Sequence, residues 1–566
     1  MVIVLRVSMR RREASPRFPI GVAARMIMLQ FSQHQPNIRS SLARYDGDVL
    51  ATSRWVRWGS HLAVVLLAAA LRLWNLGLPH ALVFDETFYV KDAWSLFNNG
   101  YESTWPIDAN PLFEAGQTDI YTSDPSFVVH PPLGKWLIAL GMNLLGPGNP
   151  WGWRLATVVV GVLAVVLIML VAQKLFQSRL LALVAGFLLA IDGHAIVMSR
   201  VALLDNFVMF FALLGFGAVL MDREWHATRL ATRLAGRNNP GWGPALWWRP
   251  WLLTAGLAFG LTSSVKWSGL YFLAAFGIYL VAVDALARRR NGVSFWLSAA
   301  ILKQAPATFL TLVPIAGATF LISWTGWFVT RGGYYRDWAD GVGAAWTGPL
   351  AWVPHTLQSF WHYQAAAYTY HVGLATPHPY QANPLTWLFM IRPTSMYYRG
   401  LDSGEFGCQF QSCSEAITSV GNPLIWWAAT AAVFYLVYRL ARYREWRVGF
   451  ILMGMIAGYL PWLMYLNRTV FQFYTIAFEP YLLLGLTFVI GLLLKRIPDQ
   501  ARPRRRHSAH TQVPEYDPQP QAGAVTAVVV GLGVALLVTA FFFPVWTGMQ
   551  TSFAFWQLHI WMPGWR

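Results

Sequence analysis

An all-α polytopic membrane protein is the fold class that the sequence predicts, on three observations. The 566 residues are 56% hydrophobic and only 12% charged, with a mean hydropathy of +0.40; that is about half the charge of an average soluble domain. Apolar stretches close to the roughly 20 residues needed to span a bilayer recur along most of the chain. The basic residues, finally, are distributed by side of the membrane. A soluble globular protein is excluded.

In chain order the apolar stretches give spans at 58–76, 151–173, 180–198, 205–221, 251–265, 267–286, 305–328, 422–438, 448–466, 472–494 and 523–545, eleven in all. Alternating them from a cytoplasmic N-terminus puts 1–57, 174–179, 222–250, 287–304, 439–447 and 495–522 inside, and these segments hold 31 of the 43 Lys and Arg. The positive-inside rule favours this orientation in a plasma membrane. It also accounts for most of the net charge of +17, so no nucleic-acid partner is needed to explain it. The organisation is then a basic cytoplasmic tail (1–57), an N-terminal membrane module (58–328) that includes a first outer loop (77–150), a second outer loop (329–421), a C-terminal membrane module (422–545) with a polar cytoplasmic linker (495–522), and an aromatic outer tail (546–566). The basic tail lacks a signal-peptide core and reads as mobile, with Met26 and Met28 as alternative starts. Two cysteines exclude a disulfide-rich scaffold and a four-cysteine zinc site; Cys408 and Cys413 are close enough to pair on an oxidising side.

Both outer loops are longer than simple connections and rich in aromatics and proline. The stretch Thr356–Leu374 mixes aromatic and polar residues as an interfacial helix would. The first loop opens with Phe84-Asp85-Glu86-Thr87. Asp85 suits the cap of an amphipathic helix over Glu86–Phe97, the commoner role for an Asp-Glu pair at a helix start; the alternative is a catalytic base. Side chains at i and i+1 diverge on a helix, so Asp85 and Glu86 do not share a proton, and one of them acts while the other positions a partner. Further on, Val129-His130-Pro131-Pro132-Leu133-Gly134-Lys135 sets a rigid turn before an apolar helix, with Lys135 either snorkelling or facing a site. Arg154, Asp192, His194, Arg200, Asp205, Asn206, Lys266 and Glu479 fall near outer span ends, where a charge is costly enough to be a functional candidate. Arg154, Arg200 and Lys266 converge on the side that carries Asp85, which suits an anionic lipid headgroup below an acceptor. No Gly-rich phosphate loop occurs. His355, His362, His371 and His378 match no standard zinc spacing.

These residues resemble the protein O-mannosyltransferases, the polyprenyl-phosphate-mannose-dependent branch of the GT-C glycosyltransferases. The similarity runs through Asp85-Glu86, His130-Pro-Pro-Leu-Gly-Lys135, Trp153-Arg154, Ser199-Arg200-Val-Ala-Leu-Leu-Asp205-Asn206, Ser264-Val-Lys-Trp267, Asn383-Pro-Leu-Thr-Trp387, Arg392-Pro393 and Gly421-Asn-Pro-Leu-Ile-Trp-Trp427, covering roughly 60–545. Several motifs in one order are far more specific than an Asp-Glu pair. The loop 329–421 is too short for the β-trefoil domain inserted in fungal and animal members, so the layout is the bacterial, actinobacterial type.

The resemblance implies a GT-C fold and transfer of mannose from a lipid phosphate to Ser/Thr hydroxyls of secreted proteins, with inversion and on the outer face. It implies Asp85 as the catalytic carboxylate, Glu86 as its essential neighbour and Arg154 as an important arginine. Physical reasoning adds Arg200 and Lys266 as phosphate candidates beside Arg154, with His130 and Lys135 as further donor-site candidates and Asp205 and Asn206 near them; the leaving phosphate needs cations instead of a general acid. No cofactor is required, and a Mg or Mn ion is compatible with the scheme without being indicated. The expected partners are the lipid donor, Ser/Thr-rich secreted polypeptides, the bilayer and a protein translocation channel. The competing readings are a GT-C transferase acting on a lipid or cell-wall glycan, and a transporter or flippase, which the absence of an internal repeat disfavours.

Overall fold

The computed structural model describes residues 54–237, 240–497 and 520–566. The expectations for the basic tail and for most of the 495–522 linker therefore lie outside the described residues. Fifteen helices build the membrane region and position the site: α1 Arg54–Leu73, α2 Glu86–Asn99, α3 Leu133–Leu145, α4 Pro150–Phe176, α5 Arg179–Ile191, α6 Gly193–Arg200, α7 Asp205–Leu234, α8 Pro250–Val265, α9 Gly269–Arg290, α10 Trp296–Ser323, α11 His355–Gly373, α12 Pro423–Tyr443, α13 Trp446–Tyr459, α14 Glu479–Leu493 and α15 Ala522–Thr547. Their starts are written in the sequence. Asn149 caps α4 through the Trp151 N–H, Ser178 caps α5 through the Leu181 N–H, and Asn422 caps α12 through Leu424 and Ile425. Proline follows Asn149 and Asn422 at the first helical position, where its missing N–H costs nothing.

Among the described residues, seven helices are long and apolar enough to cross a membrane (α4, α7, α9, α10, α12, α15 and α13 with its extension to Met464), and an eighth if α5 and α6 are taken together. This is a multi-pass membrane protein, but the count departs from eleven on that measure. Stretches 58–76, 251–265 and 472–494 yield the shorter apolar helices α1, α8 and α14. In the last of these, Gln472–Ala477 winds as a 3₁₀ turn and α14 begins only at Glu479, just before Pro480. Stretch 180–198 is two helices meeting at 60°. The cause is Asp192, whose carboxylate accepts from the His194 and Ala195 N–H groups, so that it ends α5 and caps α6. A Cβ at the next residue, Gly193, would collide with the Trp546 ring. Helix α6 is buried along its whole length, whereas α15 turns most of its surface outward.

The all-α expectation also needs correction. A three-stranded antiparallel sheet in the order β1–β2–β3 joins Thr394–Asp402, Ser412–Ser419 and Gln550–Ser552. The first two strands form a hairpin in which Leu401 pairs with Cys413. Cys408 and Cys413 are bonded across its turn, with Cα atoms 5.9 Å apart. The third strand comes from the aromatic tail, with Ser552 opposite Cys413. Helix α11 occupies the position where an interfacial helix is expected, its inner face carrying Gln358, Phe360, Tyr363 and Ala367.

Candidate active site

Between α1 and α2 the backbone is held by two arginines. Arg154 makes a two-point ion pair with Glu86 (Nε–Oε1 2.8 Å, Nη2–Oε2 2.9 Å) and donates to the carbonyls of Leu76, Pro79 and Ala81 at 3.0–3.1 Å. Both side chains are fully buried. Glu86 also accepts from the backbone N–H of Val83 at 3.0 Å and of Ala202 at 2.8 Å. Arg200 reaches the carbonyls of Arg72 and Asn75 at 2.9 and 3.3 Å. The segment 72–86 is thereby fastened to α4 and to the 200–202 turn.

Asp85 is the residue this clamp presents. It stands at the start of α2, but its side chain makes no capping bond. The preceding residue, Phe84, adopts a left-handed φ of 49°, costly for an aromatic residue and tolerated only where the surroundings enforce it. The Phe84 ring supplies that enforcement, edge-on to His378, Phe471 and Phe473 at 5.6–5.9 Å. Asp85 and Glu86 diverge: one carboxylate enters the Arg154 clamp, and the other faces Tyr89, Lys266 and Asp205. Burial pushes the Asp85 carboxyl up to about 6; the Lys266 ammonium pulls against that rise and the Asp205 charge adds to it.

Beside it opens a cavity of about 350 Å³ among the starts of α7 and α9, the end of α11 and the segment after α13. Its polar lining includes His130, Asp205, Lys266, His371 and Arg468, set among rings such as Trp267, Tyr271 and Tyr474. Lys266 pairs with Asp205 at 2.7 Å and lies 5.1 Å from the centre of the Tyr474 ring. His130 and His371 stack at 5.0 Å. Arg468 donates to His371 Nδ1 at 3.0 Å, so Nε2 carries the ring proton, which it gives to the Val129 carbonyl at 2.9 Å. Burial holds His371 down to about 4 and His130 well below its ordinary value, with Lys266 and Arg468 pushing both the same way. The lining therefore sets two neutral imidazoles beside two cations, and the Nε of Arg468 has no hydrogen-bond partner among the described residues.

Among the sequence-derived candidates, Asp85, His130, Asp205 and Lys266 come together here. Arg154 and Arg200, expected to face a phosphate, do not line the cavity: their guanidinium groups are committed to Glu86 and to backbone carbonyls. Lys135 is likewise diverted, pairing with Glu102 and donating to the His130 carbonyl at 3.2 Å. Asn206 donates to the Thr157 carbonyl at 2.8 Å, joining α7 to α4. Asp192 and His194 lie at the α5–α6 break, His194 between Ser419 and Thr475. Sequence reasoning missed Arg468. Its one signal was an arginine on the side where basic residues are scarce. Among the described residues no three His, Cys, Asp or Glu side chains are grouped for a metal ion.

Comparison with known proteins identifies the architecture. Residues 62–325 match the family model described as dolichyl-phosphate-mannose-protein mannosyltransferase, and residues 356–565 match that of the C-terminal four-TMM region of protein O-mannosyltransferase. The polyprenol-phosphate-mannose–protein mannosyltransferase of Mycobacterium tuberculosis is 35% identical over 517 residues, 89% of this chain and 91% of the relative. That of Corynebacterium glutamicum is 28% identical over 526 residues, 91% and 95% of the two chains. The solved structure of the S. cerevisiae protein O-mannosyltransferase Pmt1-Pmt2 complex bound to the sugar donor shares the fold at a TM-score of 0.64 and 13% identity, over 93% of this chain and 94% of that one. With one relative above 30% identity over nearly its whole length and two family models tiling the membrane region, the chain belongs to the dolichyl- and polyprenol-phosphate-mannose–protein mannosyltransferase family.

Proposed function

We propose that this enzyme transfers mannose from polyprenyl-phosphate-mannose to a Ser or Thr hydroxyl of a secreted polypeptide, with inversion at the anomeric carbon. The observation that carries the reading is Asp85, a carboxylate with no capping duty beside an aromatic cavity whose lining includes the cations Lys266 and Arg468. The acceptor oxygen attacks the anomeric carbon and gives its proton to Asp85, while the bond from that carbon to the phosphate oxygen breaks and polyprenyl phosphate leaves with the electron pair. The charge that develops on the phosphate is met by Lys266 and Arg468, and the neutral His371 orients Arg468. Glu86 and Arg154 are positioning residues that hold the Asp85 turn. The reaction as written calls on no cofactor.

The chain is read as a plasma-membrane protein with its N-terminus cytoplasmic and this site outside, on the strength of the basic-residue asymmetry. Counting α1, α8 and α14 as short spans beside the seven long helices and the bent α5–α6 pair restores eleven crossings. On that topology the site lies where polypeptides leave a translocation channel.

The test is transfer of labelled mannose from the lipid donor to a Ser/Thr-rich peptide, with purified wild type beside Asp85→Asn. A fall of roughly 10²–10⁴-fold in a variant that keeps its thermal midpoint supports the base assignment, and undiminished transfer rejects it. Donor turnover without peptide labelling would move the acceptor to a lipid or a glycan.

A further inference from the structure

Strand β1 is an edge. In the order β1–β2–β3 its one neighbour is β2, so alternate N–H and C=O groups along Thr394–Asp402 point away from the sheet, and among the described residues no strand lies beside them. Natural edges of this length are usually blunted by proline or by an outward charge. Register is irregular between Ser395 and Tyr397, and the Glu405 carboxylate accepts the Asp402 N–H at 3.0 Å; between those points neither device operates. No proline interrupts the nine residues, and Arg399 is drawn back across the sheet by its 2.7 Å ion pair with Glu415 on β2. On the opposite face Tyr398 is held 5.0 Å from Trp556. The disulfide between Cys408 and Cys413 braces the hairpin at its turn.

The sheet also lies near the segment that leads to Asp85. Tyr397 of β1 lies within electrostatic range of Glu114. Glu114 accepts the Leu82 N–H at 2.8 Å, three residues before Asp85. Ile417 on β2 and Pro79 both flank Gly548, which closes the sheet against the same segment.

We infer that the acceptor polypeptide binds as a fourth strand on the free edge of β1, so that main-chain hydrogen bonds hold it and deliver its hydroxyl to Asp85. Strand addition recognises backbone and leaves side chains free, which suits an enzyme that modifies hydroxyls in many sequence contexts. The inference rests on the proposed function, and it names how that site holds its second substrate.

The test is an N-methyl scan of an acceptor peptide. Each backbone amide on one side of the target Thr is methylated in turn, and kcat/KM is measured with the purified enzyme and the lipid donor. Strand addition predicts a period of two: alternate positions lose about tenfold or more and the positions between them lose little. On the enzyme, Tyr398→Pro and Arg399→Pro remove adjacent N–H groups that point to opposite sides of the strand. The variant that loses the outward N–H should keep its thermal midpoint and raise KM for the peptide without raising KM for the donor. An N-acetyl-threonine amide, too short to form a strand, separates the two readings. If it accepts mannose while the scan shows no alternation, strand addition is overturned and the transferase reading stands; if no hydroxyl acceptor of any length is mannosylated, both fall. Crosslinking of β1 to β1 between two copies, without an alternating scan, would likewise overturn the inference and assign the edge to self-association.

Discussion

Lys266 Nζ lies 2.7 Å from Asp205 Oδ2, and this ion pair sits beside Asp85, the carboxyl proposed as the base. The lysine follows the last residue of α8 and the aspartate opens α7, so the junction of two membrane helices sets the charge seen by Asp85. Asp205 raises the Asp85 carboxyl and Lys266 lowers it.

The pH dependence of transfer should report that balance. A base must be deprotonated, so with Asp85 held at about 6, kcat/KM should fall as pH drops through about 6. Asp205→Asn removes a negative neighbour and should move this acid limb to lower pH. Lys266→Gln removes a positive neighbour and should move it to higher pH. Rate profiles of the two variants that shift in the same direction would contradict the arrangement.

Breaking the Glu86–Arg154 clamp should cost stability as well as activity. Glu86→Gln leaves a fully buried guanidinium without its charge partner, a loss of roughly 3–5 kcal/mol for a buried pair. A thermal melt in detergent should show a clearly lowered midpoint. Asp85→Asn, which breaks no ion pair, should leave the midpoint nearly unchanged.

Substitution of Arg468 tests whether the cavity serves the donor or the acceptor. Arg468→Ala should raise KM for the lipid donor by roughly tenfold or more, since hydrogen bonds to charged groups are worth about 1.5–3 kcal/mol. KM for the peptide should change little. Arg468→Lys should recover only part of the loss, because a lysine does not reproduce the bond to His371 and a phosphate contact together. Equal rises in both KM values would show that Arg468 does not serve the donor alone.

The disulfide should act locally. Removing it by Cys408→Ser with Cys413→Ser opens a loop of about six residues, worth about 2 kcal/mol on the chain-entropy account, and that loss falls on the hairpin. Limited proteolysis should cut between β1 and β2 in the double variant while the helical region resists as before.

Much of this architecture is legible from composition and order. The multi-pass helical class follows from hydropathy, and the divergence of Asp85 from Glu86 follows from helix geometry. What stays hidden depends on partners distant in sequence. Arg154 and Arg200 read as open cations because a sequence does not show that the carbonyls of 72–81 come to meet them. Asp192 reads as a charge within a span because only the fold reveals that it ends one helix and begins another. The sheet escapes notice because β3 lies more than 130 residues beyond β2, and the short hairpin alone carries too weak an alternation to announce itself. Arg468 has no motif around it to single it out.

The pairing of β3 with β2 also fixes an order of events in time. The hairpin and its last strand are separated by the whole of α12 to α15, so the sheet stays unfinished while the ribosome makes those helices and the membrane takes them in. A nascent chain can set Asp85, Lys266 and Arg468 in place before β3 exists. Its second long loop gains its third strand only when synthesis has passed residue 552, so the sheet is completed late in synthesis.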